Sequence, residues 1–88
     1  VARTETAGAV LYHPPVKRSV EIAGHKTSIS LEPYFWELLR KAAEMERLPV
    51  NTLVARIDAD RIQADPAPGL AGAIRLWLAR RAVEGSGG

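Results

Sequence analysis

The 88-residue chain has no cysteine. Disulfide staples and thiolate metal sites are therefore excluded, and nothing points to an oxidising compartment, so a cytoplasmic address is the expectation. Aromatic residues are scarce at 6%. No apolar run approaches the roughly 20 residues that cross a bilayer, so no membrane span or membrane partner is expected. Charge of one sign is also missing, since 12 Lys and Arg against 10 Asp and Glu leave a net charge of +2. Ala7 to Leu11 is too short an apolar stretch for a signal peptide, and residues 1–16 read as a flexible arm. What is present, 47% hydrophobic and 25% charged residues, is the mixture of one folded domain. A chain this small builds a marginal core alone, and with no staple available the remaining support is a second copy.

Proline and glycine punctuate the chain. His13-Pro14-Pro15 ends the arm, Pro33 and Pro49 stand at two helix starts, and residues 65–69 (Asp65-Pro66-Ala67-Pro68-Gly69) form a linker. Gly85 to Gly88 reads as a flexible tail. Between Arg18 and Leu31 the pattern has period two: Val20, Ile22, Thr27, Ile29 and Leu31 fall on one face, and Ser19, Glu21, Lys26, Ser28 and Ser30 on the other. A type II′ turn at Gly24-His25 would set Val20 opposite Ile29, Ile22 opposite Thr27 and Glu21 opposite Ser28.

Helical spacing follows. Phe35, Leu38, Leu39, Ala42, Ala43 and Met45 mark a first helix over 33–47, and Val50, Leu53, Val54 and Ile57 a second over 50–63. Leu70, Ile74, Trp77 and Leu78 mark a third, running to about Val83 within a C-terminal segment 70–84. Phe35 and Trp36 are about 100° apart on a helix and cannot share one site, so one of them covers the third helix or a partner. That stripe on the third helix reads as intramolecular packing, with a protein partner there as the other reading.

A short strand leading straight into two helices leaves unpaired edges, which pairing with a second subunit about a two-fold axis resolves. Lys26-Thr27-Ser28-Ile29-Ser30-Leu31, Leu39-Arg40-Lys41-Ala42-Ala43-Glu44 and Leu48-Pro49-Val50-Asn51-Thr52-Leu53-Val54 resemble the ribbon-helix-helix family of Arc/MetJ type, over about residues 26–63. The preceding segment from Arg18 to His25 and the third helix resemble a bacterial subfamily. The resemblance implies a mainly α fold with a short β-ribbon, a ribbon-helix-helix homodimer with an added N-terminal strand and a third helix, its domain spanning 17–64. It further implies a sequence-specific DNA-binding transcriptional regulator, not an enzyme, with double-stranded DNA and a second copy of itself as partners and no cofactor or metal.

In that family the ribbon enters the major groove and alternate side chains read bases. Matched here, these are Lys26, Ser28 and Ser30, with chemistry that fits: lysine donates to guanine O6 or N7, and a hydroxyl donates or accepts. The family also sets the start of the second helix against a phosphate, which here leaves the amides of Val50 and Asn51, since Pro49 has none. Residues 1–31 carry a net +2, with Lys17 and Arg18 among the contributors, and residues 32–65 a net −2, which puts the positive charge at the ribbon end. On the plainest alternative, Lys26, Ser28 and Ser30 are only the solvated face of a half-buried strand.

If the first strand pairs with the second, a strand-paired dimer has four strands. At about 4.8 Å each its backbones span about 14 Å, wider than a major groove of about 12 Å. The first strand then twists away from the groove, or the sheet has another use. The other function class is a protein-interaction module, antitoxin-like or scaffold, engaging a partner through the third helix or the outer hairpin. His13 and His25 lack a second ligand at metal spacing. Ser28 and Ser30 lack both an elbow motif and an orienting acid, so nucleophilic catalysis is not expected.

Overall fold

A computed structural model describes residues 12–87. Most of the expected arm, including Arg3 and Glu5, and Gly88 of the expected tail lie outside these residues. The described chain runs β1 (Val16–Ile22), β2 (His25–Leu31), α1 (Pro33–Glu46), α2 (Val50–Arg61) and α3 (Leu70–Gly87). The mainly helical fold with a short β-ribbon is as the sequence implies.

β1 and β2 form an antiparallel hairpin with Val20 opposite Thr27, Ile22 opposite His25, Glu21 opposite Lys26 and Ser19 opposite Ser28. This corrects the expected register by two residues. The turn is Ala23-Gly24, not Gly24-His25, and both have positive φ, +50° and +81°. Two positive φ values are the signature of a type I′ turn, whose twist matches that of the strands it joins. A slip of two residues keeps every side chain on its face, so the inward set survives the correction. Val20, Ile29 and Leu31 are buried, and Lys17, Ser19, Glu21, Lys26 and Ser28 are exposed.

Pro33 opens α1 with φ already suited to a helix, and the Glu32 carbonyl accepts from the N–H groups of Phe35 and Trp36 at 2.9 and 3.0 Å. The helix closes one residue earlier than expected because Arg47 turns left-handed, with φ +57°. The N–H of Leu48 then donates to the Ala43 carbonyl at 2.9 Å, satisfying one of the carbonyls left open at the helix end. Pro49 caps α2 through its carbonyl, which accepts from Leu53 at 3.1 Å. α2 ends at Arg61, two residues short of the expected Gln63, and its last turn relaxes into shorter hydrogen-bonded steps at Gln63 and Ala64. α3 continues to Gly87, past the expected end near Val83.

The three helices and the inner face of the hairpin enclose one core. Leu31, Leu39, Leu53, Val54 and Ile74 have no exposed surface, and Ile57 and Leu78 almost none. Trp36 is the aromatic that goes inward. Its indole N–H donates to the Val16 carbonyl at 2.9 Å and ties α1 to the start of β1. Phe35 is the one that turns toward α3, where the Arg75 guanidinium lies 5.8 Å from its ring centre. Met45, expected in the buried stripe, is 74% exposed, because it sits in the last turn of α1 beside an open groove.

Glu32 joins the hairpin end to α3 by accepting from Arg75 Nε at 2.9 Å. Its carboxyl is held below the ordinary value of 4.5, first by a hydrogen bond within its own backbone and then by Arg75. Glu46 at the end of α1 pairs with Arg81 at 2.9 Å.

Candidate nucleic-acid interface

The outward face of the hairpin is built by strand alternation over a buried underside. Lys17, Ser19 and Glu21 from β1 stand opposite Ser30, Ser28 and Lys26 from β2. Ser30 is half-buried and the other five are exposed. Because a two-residue turn closes on a hydrogen-bonded pair, Ile22 and His25 bond to each other and the next pair, Glu21 and Lys26, does not. The same alternation puts the Ser19–Ser28 and Lys17–Ser30 pairs in the non-bonded class, where backbones approach to about 4.5 Å and side chains stand close together.

The backbone groups of these residues accordingly point away from the hairpin. On the β1 side one of them is taken: the Glu21 N–H donates to Asn51 Oδ1 at 3.2 Å. The first turn of α2 is therefore fastened beside the outer edge of β1. Asn51 is exposed, while Val50 is half-buried and packs on the core. A groove of about 580 Å³ lies between that edge, α1 and the start of α2, bordered by Arg18, Ser19, Trp36, Arg40 and Asn51.

Of the residues singled out from the sequence, Lys17, Lys26, Ser28 and Ser30 share the outward face, and Val50 and Asn51 flank it beyond β1. Arg18 is on the other parity. Its guanidinium lies 5.3 Å from the Trp36 ring centre, an arrangement in which the aromatic face attracts the cation, and the side chain remains exposed at the rim of the groove. Glu21 and Ser19 are the members of the face absent from that set. Strand alternation places both on this face, and the Ala23-Gly24 turn decides that Glu21 stands opposite Lys26.

The cations of the described residues fall into two sets, and Lys41, Arg47 and Arg56 belong with those of the hairpin in making no ion pair within 4.0 Å. Arg40, Arg61, Arg75, Arg80 and Arg81 each pair with a carboxylate of the chain. Among the described residues, Lys17, Arg18 and Lys26 make no ion pair within 4.0 Å, and Lys26 makes none with the Glu21 carboxylate directly across from it. Donors with no partner among the described residues, on a hydrogen-bonded two-stranded support, are available to an external acceptor.

A second open region lies between α1 and α3, a groove of about 570 Å³ lined by Leu38, Ala42, Met45, Leu78 and Ala82. On α3, Ile74 and Leu78 are buried, Leu70 and Trp77 are half-buried, and Arg81 lies 5.5 Å from the Trp77 ring centre, so most of the stripe is spent on intramolecular packing. Leu76 and Val83 stay exposed. Among the described residues no group of three His, Asp or Glu gathers to hold a metal ion. His13 Nδ1 lies 2.8 Å from the Pro14 carbonyl, and His25 is exposed beside the turn. None of the helices among the described residues is long and apolar enough to cross a membrane.

A family model for the ribbon-helix-helix domain matches residues 15–82. No curated protein and no solved structure matches the chain.

Proposed function

The chain belongs to the ribbon-helix-helix domain family, whose members are typically DNA-binding regulators or antitoxins and generally non-enzymatic, and from that premise we propose that it is a sequence-specific DNA-binding transcriptional regulator acting as a homodimer. The observation that carries this reading is the outward hairpin face, with Lys17 and Lys26 exposed and, among the described residues, unpaired beside small hydroxyl side chains.

Lys26 donates to a guanine O6 or N7, and Ser28 and Ser30 donate or accept at neighbouring base edges. Lys17, at the far end of the same face, meets a phosphate. The free amides at the first turn of α2, those of Val50 and Asn51, hold a second phosphate, helped by the positive end of the helix. Arg18, turned toward the groove beside α2, contributes to the same flank. Phosphate contacts fix the position of the protein on the duplex and the strand side chains supply the sequence preference. A homodimer gives the operator two-fold symmetry and doubles the contact area.

A random-sequence duplex library selected with the purified chain at two salt concentrations tests the proposal. Enrichment of a two-fold related motif that survives the higher salt is the expected result. Weak, salt-sensitive binding without enrichment would overturn it. The reading that then gains is a protein-interaction module, antitoxin-like or scaffold, which the apolar α1–α3 groove and exposed Met45, Leu76 and Val83 favour.

A further inference from the structure

Ribbon-helix-helix proteins pair one strand of each subunit about a two-fold axis to make the ribbon. In this chain the strand free to do so is β2. The outward edge of β1 is closed at Glu21 by Asn51, whereas among the described residues no hydrogen bond takes the outward backbone groups of Lys26, Ser28 and Ser30. Only these three present N–H and C=O groups to a second copy, so they must pair among themselves. Centring the pair on Lys26 sets two lysines directly opposite, which is unfavourable, and centring it on Thr27, Ile29 or Ser30 leaves part of β2 overhanging. Centring it on Ser28 pairs the full length of β2 with its copy and sets Lys26 beside the partner's Ser30. Combined with the hairpin register, each end row then reads Lys17, Ser30, the partner's Lys26 and the partner's Glu21.

Lying flat, such a sheet is too wide for the groove and brings Glu21 as close to the phosphates as Lys17. Sheets twist, however, by about 20–25° per strand in a fixed hand, and β1 stands one and a half strand intervals, about 7 Å, from the axis. Viewed from the outward face with β1 running upward, L-residues whose side chains face the viewer point their N–H and C=O groups to the right. In β1 those groups point away from β2, so β2 lies to its left. Right-handed strand twist then tips the lower right and upper left corners of the dimer toward the viewer and the other two away. Lys17 and its symmetry mate occupy the first pair of corners, and Glu21 and its mate the second. Each is two residues along β1 from Ser19 in the central row, so the displacement is about 4 Å in either direction. β1 thus crosses the groove wall obliquely, its lysine end toward the duplex and its acidic end lifted from it. Only the two central backbones, about 4.8 Å apart, need enter the groove.

We propose that each end of the DNA-reading ribbon is a composite of both subunits, with Lys17 of one on a phosphate at the groove wall, the partner's Lys26 on a base, and Glu21 turned out of contact. The inference rests on the DNA-binding reading above and adds to it the register of the dimer and the task of β1.

Because the chain has no cysteine, one introduced thiol reports one distance. Full-length Ser28→Cys is expected to form a disulfide-linked dimer under mild oxidation without DNA, its Cα atoms about 5.5 Å apart across the axis. Lys26→Cys alone, about 14 Å from its mate, is expected to stay uncross-linked, and to cross-link when refolded together with Ser30→Cys. Cross-linking of Lys26→Cys or Ser30→Cys with itself, or no cross-link from any of these, would overturn the register. On a duplex selected with the unaltered chain, Lys17→Ala is expected to lower the slope of log affinity against log salt by about one per subunit with the motif unchanged, and Glu21→Gln to leave affinity and slope as they were. A higher affinity for Glu21→Gln, or an unchanged slope for Lys17→Ala, would overturn the composite end while the cross-links still fix the pairing. No motif for the unaltered chain would instead remove the DNA reading and both lysine contacts with it.

Discussion

The two open surfaces of the molecule differ in what they leave unsatisfied. In the α1–α3 groove Arg81 is neutralised by Glu46, Lys41 makes no ion pair among the described residues, and the rest of the lining is mostly apolar: Leu38, Ala42, Met45, Leu78 and Ala82. At the hairpin end the apolar side chains are covered and the polar ones are left without partners, with Lys17 and Lys26 unpaired among the described residues. An apolar groove asks for area and shape, whereas a row of unpaired donors and acceptors asks for a surface with the complementary pattern. Duplex DNA has such a pattern, which is why the hairpin and not the third helix carries the functional reading.

The largest expected effect comes from removing the support both surfaces share. Ile74 has no exposed surface and sits where α3 meets the core, so Ile74→Ala is expected to cost about 2–5 kcal/mol, read by urea denaturation. Against a marginal total stability for a domain of this size, that loss abolishes duplex binding together with folding. Lys26→Ala separates the two ends. It leaves the denaturation midpoint nearly unchanged, and where Lys26 reads a base it costs about 1–3 kcal/mol of binding with relaxed preference. If the lysine meets a phosphate instead, the slope of log affinity against log salt falls by about one. Lys41→Ala, in the α1–α3 groove, is the matched control and changes neither quantity.

Smaller effects probe the joints. Ala23 holds φ +50° in the turn, a conformation that asparagine adopts more readily, so Ala23→Asn is expected to stabilise the chain by about 0.5–1 kcal/mol with duplex preference unchanged. The Glu32 carboxyl is depressed in the folded chain, so its contribution is present above pH 4.5 and is lost as pH falls through the lower folded value. Thermal melts of the unaltered chain and Glu32→Gln are expected to differ at neutral pH and to converge in acid, with a modest gap because the pair is partly solvated.

The sequence carried the strand phase, the proline-marked helix starts and the buried stripes, because each is a local pattern with one physical cause. The hairpin register was not legible in the same way. Turns at Gly24-His25 and at Ala23-Gly24 bury the same side chains, and glycine's freedom favours the first while strand twist and the length of the pairing select the second, at the cost of placing an alanine at positive φ. Adjacency showed that Phe35 and Trp36 must part, but the Val16 carbonyl that receives Trp36 lies 20 residues away in the chain. Arg18 read as one more cation of the ribbon end, and its place over Trp36 follows from that same long-range contact. Of the site, the outward set on β2 was legible from alternation alone, whereas the Glu21–Lys26 pair depends on the register and could be found only with it.

Amide chemical shifts of the isotope-labelled chain, followed as a duplex recovered by selection is titrated in, report directly whether the hairpin face meets DNA. Shifts are expected to concentrate at residues 17–21, 26–30 and 50–52, with the α1–α3 groove silent. Shifts confined to Leu38, Met45, Leu78 and their neighbours, with the hairpin unmoved, would contradict DNA contact by the hairpin.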